Sequence, residues 1–263
     1  MIRSYFVILL LLWLPCYSYG QEPKSVLVLK NDDKGWEVDD LKQIYVYDKY
    51  EIRKYSEDGQ KMASFSVREL GPIGSLDVSD PLKPILFFPS FYTVLELDNQ
   101  LSVTSKWTVD HISDPSAFWG CRSNGPGYWF YNSLTSEPIQ LNQKGKVLSI
   151  GTKTSSFLEP SQRISGLYAK DAWLVVKVLD VGMLIYDQFG TYSRTIVDES
   201  TSFSGIYKND LFYWKPPHLN RFDLKTGIRS KWVYKGLESV KDVRVVVGRL
   251  YYAKDKTIYY SDF

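Results

Sequence analysis

Short apolar stretches alternate along this chain with polar turns, and the alternation recurs as a unit. Within a stretch the period is often two, as in Gln43-Ile44-Tyr45-Val46-Tyr47-Asp48. That spacing predicts half-buried strands. One point in each unit is marked by an apolar residue followed by a polar, often Gly-bearing turn. These turns are Tyr55-Ser56-Glu57-Asp58-Gly59, Leu97-Asp98-Asn99-Gln100, Leu141-Asn142-Gln143-Lys144-Gly145, Tyr186-Asp187-Gln188-Phe189-Gly190, Phe222-Asp223-Leu224-Lys225-Thr226-Gly227 and Tyr260-Ser261-Asp262. The leading residues lie 42, 44, 45, 36 and 38 positions apart. A period of about 40 with about four strands per unit is the sequence mark of a β-propeller. The expected fold is all-β, a six-bladed propeller.

The sixth unit is one strand short. Val240–Val245, Arg249–Ala253 and Thr257–Tyr260 read as strands, and then the sequence ends. Ser25–Lys30 is an apolar segment with no partner in its own unit. The ring is expected to close by pairing Val26–Leu29 beside Thr257–Tyr260, which also protects edges that would otherwise aggregate. No segment shows helical periodicity, so almost no helix is expected beyond the N-terminus.

Residues 1–20 read differently from the repeat. Arg3 precedes the apolar run Tyr5–Leu14, Pro15 breaks it, and Ser18-Tyr19-Gly20 offers a cleavage point before Gln21. This is the pattern of a secretory signal peptide. The expected organisation is a signal over 1–20 and one propeller domain over 21–263. The run is too short for a span, which takes about 20 apolar residues. Cys16 raises lipidation, but Pro15 directly before it fits a lipobox badly. Removal of Arg3 leaves 31 basic against 30 acidic residues, a balance that offers nucleic acid or anionic lipid no electrostatic hold. The expected location is the periplasm, at the outer membrane. Cys121 would then be the one cysteine, with no internal disulfide, read as a small buried hydrophobe. Aromatic residues reach 16%, with 20 Tyr and 8 Trp, and most suit packing between blades.

Motifs of chemistry are sparse. His111 and His218 fall in different units without a second ligand at metal spacing, and both read as loop residues. Neither a nucleophile elbow nor a phosphate loop occurs. Asp39, Asp77, Asp114 and Asp242 are the carboxylates that would serve a channel calcium in a lactonase-like hydrolase, although Asp also forms ordinary turns. No catalytic, cofactor or metal residue is assigned on this reading, and the chain is expected not to be an enzyme. The distinctive segment is Asp77-Val78-Ser79-Asp80-Pro81-Leu82-Lys83, joining a first to a second strand. Three further loops join it as candidate partner contacts: Phe91 and Tyr92 after Pro89, Arg122 through Tyr128 and Trp129, and His218 after Lys215-Pro216-Pro217. Tyr, Trp and Arg are the types that dominate protein contacts. A glycan- or peptide-binding propeller using these aromatics is the remaining alternative.

The segment Gly74–Phe88, with Val94-Leu95-Glu96-Leu97-Asp98-Asn99, resembles a family of small exported propellers of Bacteroidota. The resemblance carries no catalytic motif. It implies a docking or plug role at the periplasmic end of a large outer-membrane β-barrel, that of the plug subunit in the type IX protein translocon. The implied partner is an envelope protein.

Overall fold

A computed structural model describes residues 23–110, 119–132, 134–156, 158, 163–198 and 202–262. The signal segment, Cys16, His111 and Asp114 lie outside the described residues. The strands form six four-stranded antiparallel sheets. Blade 1 runs outward through β2 (Gly35–Val38), β3 (Ile44–Tyr47), β4 (Glu51–Tyr55) and β5 (Lys61–Ser66). Blade 2 holds β6 (Ser75–Asp77), β7 (Ile85–Phe88), β8 (Thr93–Leu97) and β9 (Val103–Thr108). In blade 3 these are β10 (Gly120–Arg122), β11 (Tyr128–Asn132), β12 (Glu137–Leu141) and β13 (Val147–Ile150). Blade 4 has β14 (Ile164–Lys170), β15 (Trp173–Val178), β16 (Gly182–Asp187) and β17 (Tyr192–Val197). Blade 5 has β18 (Ser202–Tyr207), β19 (Asp210–Lys215), β20 (His218–Asp223) and β21 (Arg229–Val233).

Blade 6 is completed from the other end of the chain. β22 (Val243–Val246), β23 (Arg249–Lys254) and β24 (Thr257–Asp262) take β1 (Lys24–Val28) as their outer strand. Lys24 stands opposite Tyr260 and Val28 opposite Thr257, and the Leu29 N–H donates to the Lys256 carbonyl at 2.7 Å. The expected closure is therefore the one found.

The hydrophobic core is six slabs, one between each pair of neighbouring blades. Ile85, Phe87 and Trp107 of blade 2 meet Tyr128, Phe130 and Leu141 of blade 3, for example. The slab between blades 6 and 1 packs Trp36 and Ile44 on Tyr251 and Ile258, with Val26 and Leu27 of β1 against it. Both faces of every sheet are thus buried, which explains why the strands read as apolar runs as often as alternating ones.

The sequence repeat is the hairpin between the third and fourth strands. The Oδ1 atoms of Asp98, Asn142 and Asp187 each accept two N–H groups, two and four residues on. The residue that closes each such turn sits at positive φ: Gly59 (79°), Gly145 (72°) and Gly190 (83°). In blade 2 this place is held by Leu101, at φ 62°. Left-handed backbone costs a non-glycine residue about 1–2 kcal/mol. Leu101 is only 2% exposed, in the slab between blades 1 and 2, and its burial outweighs the strain. We expect Leu101→Gly to relax the turn yet lower stability by about 1–3 kcal/mol, because deleting a buried leucine costs about 2–5 kcal/mol. Urea unfolding checks this; an unchanged or raised midpoint would show that strain dominates.

Candidate functional site

Antiparallel alternation gives the ring two unlike faces. The loops between first and second strands share one face with the outer hairpins, here the turn face. Chain segments entering each first strand, and loops between second and third strands, share the other, the entry face. The candidate contact residues divide between them. Asp77, Ser79, Asp80, Lys83 and Arg122 belong to the turn face. Phe91 and Tyr92, in the loop after β7, and His218, after Pro216-Pro217, belong to the entry face. One contact surface does not hold both groups, because the direction of successive strands alternates.

On the turn face the distinctive segment is tied to blade 3. Asp77 Oδ1 accepts from the Ser79 N–H at 2.7 Å, and its Oδ2 accepts from the Arg122 N–H at 2.6 Å. Arg122 donates through Nη2 to the Lys83 carbonyl at 2.9 Å and lies 3.5 Å from Glu96 Oε1. Glu96 also accepts from the Tyr128 hydroxyl and, at 2.6 Å, from Gln143 Nε2. Burial, with that hydrogen bond to Glu96, pushes the Tyr128 phenol up to about 12. Tyr128 and Trp129 are buried between blades, so neither offers a contact surface. What remains exposed are Ser79 and Lys83, and on the entry face Phe91. Tyr92 and His218 are half-buried. Cys121 is buried between blades 3 and 4, where burial raises its thiol well above the ordinary value and suppresses the reactive thiolate.

All six first strands line the central channel, which holds a cavity of about 120 Å³ opening toward the turn face. Its charges are paired across blade boundaries. Arg244 of blade 6 donates to Glu37 of blade 1 twice, Nε to Oε2 at 2.7 Å and Nη2 to Oε1 at 2.8 Å. Burial opposes the guanidinium charge, and the Glu37 carboxylate more than restores it. Lys170 of blade 4 reaches Asp40 of blade 1 at 2.5 Å, bridging opposite sides of the ring. Tyr168 and Phe203 stack on each other with centroids 3.9 Å apart. Asp39 is buried but capped: its Oδ1 accepts from the Leu41 and Gln43 N–H groups at 2.9 and 2.8 Å, and Tyr45 donates to its Oδ2 at 2.9 Å. Burial nonetheless raises its carboxyl above the usual value.

Toward the entry face a second, polar cavity of about 340 Å³ is lined by Asp33, Lys34, Tyr47, Asp242 and Arg244. Lys177 has its pKa lowered by burial, against the opposing charge of Asp242. The carboxylates considered for a channel cation therefore do not converge: Asp39 and Asp77 serve backbone N–H groups at one end, and Asp242 lies at the other. Among the described residues no three His, Cys, Asp or Glu side chains gather as a metal set. The Glu37–Arg244 and Asp40–Lys170 pairs were missed from sequence. Their traces were a lone Arg244 in a valine run and Glu37 between Trp36 and Val38.

Two measurements test this electrostatic picture. Glu37→Gln removes the carboxylate that accepts twice from Arg244, leaving only the more distant charge of Asp242, and should cost about 3 kcal/mol, whereas Asp40→Asn, at a more exposed bridge, should cost under about 1 kcal/mol. Equal costs in chemical denaturation would contradict the assignment. For Asp39, the raised folded pKa means the native state binds its proton more readily than the unfolded state does. Its contribution is thus favourable at low pH and lost as pH rises through the folded pKa. Asp39→Asn should match or exceed the wild type in stability at pH 7, the difference shrinking on acidification. A deficit that grows at neutral pH would show that the charge itself is needed.

No protein-family model matches this sequence, and no curated protein matches it. Solved structures do resemble it in shape. Virginiamycin B lyase from Staphylococcus aureus aligns at 11% identity with a TM-score of 0.60, covering 92% of this chain and 88% of that one. BamB from Moraxella catarrhalis aligns at 11% identity and TM-score 0.51, over 87% and 82%. A protein of unknown function from Bacteroides caccae aligns at 15% identity and TM-score 0.54, over 77% and 83%. At such identities the likeness establishes the fold alone: this chain is a six-bladed β-propeller.

Proposed function

We propose that this chain is an exported, non-catalytic propeller that docks in the envelope as a subunit of an outer-membrane protein-transport complex, in the manner of the plug of the type IX translocon. The observation that carries the reading is the Asp40–Lys170 bridge between opposite blades across the channel mouth. With Glu37 and Arg244 paired deeper in the channel, ion pairs join blades at two depths of the channel, which favours occlusion and docking over passage of a substrate. A lactonase-like reading requires carboxylates free to hold a cation, and Asp39 and Asp77 are committed to backbone groups. A glycan-stacking reading requires free ring faces at the mouth, and Tyr168 and Phe203 cover one another. No helix among the described residues is long and apolar enough to cross a membrane, so the partner would supply the spanning structure.

The test is affinity capture of the tagged full chain from cross-linked envelopes of its own host. An outer-membrane barrel should co-purify in near-stoichiometric amount. Recovery of no envelope protein above an untagged control, or lactone turnover by the purified chain with Ca²⁺ or Zn²⁺, would overturn the proposal.

A further inference from the structure

Each blade ends in an outer strand with one open edge, and such edges are ordinarily blunted by charge. Five of the six follow that rule: β1 carries Lys24, β5 Lys61, β9 Lys106, β17 Arg194 and β21 Arg229 with Lys231. β13, Val147-Leu148-Ser149-Ile150, carries none. Leu148 is 40% and Ile150 57% exposed, and beside them Phe189 of blade 4 is 67% exposed. The Ser149 hydroxyl donates to the Phe189 carbonyl at 3.0 Å, which fixes the neighbouring blade's turn against this strand.

The edge is open where it matters. The Gly151 N–H donates inward to the Pro138 carbonyl at 2.7 Å, and Ser149 stands opposite Gln140. Between Ser149 and Gly151 in this register, Ile150 directs its N–H and C=O outward, and Leu148 is the extra residue of a β-bulge opposite Gln140 and Leu141. Thr152, two residues beyond Ile150, already has its N–H taken by the Gly190 carbonyl at 2.8 Å. Among the described residues, no bond from outside blade 3 reaches Leu148 or Ile150. The surroundings are basic: Lys144, Lys146 and Lys153 flank the strand, and no Asp or Glu occurs from residue 138 to 158. The nearby Asp187 Oδ1 is held by the Phe189 and Thr191 N–H groups.

We infer that β13 is a strand-addition site for an extended acidic segment of a partner protein. Backbone groups of the incoming strand would pair with Ile150. Its aliphatic side chains would cover Leu148, Ile150 and Phe189, and its carboxylates would meet the three lysines. The inference rests on the docking role proposed above and names its surface.

The probe is a fluorescein-labelled peptide of about ten residues, a usual upper strand length, alternating Val and Glu. It is titrated against the purified chain by fluorescence polarisation. A Val/Lys peptide of the same length is the control. Saturable binding of the acidic peptide is expected, weakening with added salt. The double variant Leu148→Lys/Ile150→Lys, whose side chains are exposed and whose melting temperature should not change, should lose about ten-fold or more in affinity, roughly 1.4 kcal/mol. Independently, Lys144→Glu/Lys146→Glu should shift preference to the basic peptide. No saturable binding, equal binding of the two peptides, or undiminished binding by the lysine variant would each overturn the site. So would a wild-type dimer that the lysine variant dissolves, since the occupant would then be a second copy. Failure of the docking role is separable. If the lysine variant still captures the envelope partner, the role stands and this surface is wrong. If envelope capture fails while the peptide binds, the surface stands and the role is wrong.

Discussion

Everything in this molecule depends on burying both faces of each four-stranded sheet against a neighbour. A blade alone would leave two apolar faces in water, and a row of blades would leave one at each end. Only a closed ring removes the ends, which is why the first strand, β1, is joined to the last blade. Each fully buried Leu, Ile or Phe contributes about 1.5–3 kcal/mol, and the slab between blades 6 and 1 would lose Trp36, Ile44, Tyr251 and Ile258 together if the ring opened. The centre is correspondingly crowded. A Cβ on Gly205 would fall 2.5 Å from the Val245 carbonyl oxygen, and one on Gly120 would fall 2.4 Å from the Phe87 ring. Glycine there allows the first strands to approach.

That crowding sets the chemistry of the channel. A charge drawn into the channel loses part of its solvation, which favours its meeting a counter-charge or a set of N–H groups. Arg244 finds Glu37, Lys170 finds Asp40, and Asp39 finds the N–H groups of Leu41 and Gln43. The two ion pairs join segments distant in sequence and fix the register between blades, whereas Asp39 is held within its own blade. Groups so committed are poor catalysts, because a general base or a metal ligand needs a lone pair that is free to act. The same logic covers Cys121: its burial keeps the neutral thiol favoured and the nucleophile absent.

The fold was legible because it is periodic. Turn residues such as Asp98, Asn142 and Asp187 recur with one hydrogen-bonding role, and the unpaired Ser25–Lys30 announced the closure. The site was less so, since no period connects Asp40 to Lys170 or Glu37 to Arg244; those meetings exist only in the closed ring. Boundaries also misled. Arg122 ends β10 rather than opening a loop, and Tyr128 and Trp129 begin β11 as buried residues, because the hairpin between them is only Ser123–Gly127. Exposure of a Tyr or Trp depends on which neighbour covers it, and one sequence does not carry that.

In a ring of near-equivalent blades, departures from the repeat are where selection for something other than stability shows. Leu101 in place of a turn glycine is such a departure, but its side chain enters a slab, so packing accounts for it. The long connection Asp77–Lys83 is another, and its hydrogen bonds to blade 3 account for most of it. β13 is different in kind. Its Leu148 and Ile150 stay 40% and 57% exposed, and an apolar edge with no charge inside the strand is a liability in solution. A lysine within the strand, as the other five outer strands carry an Arg or Lys, would remove that liability without touching a slab. Its absence is unexplained by folding, and an interface is the physical setting in which exposed Leu148 and Ile150 become favourable.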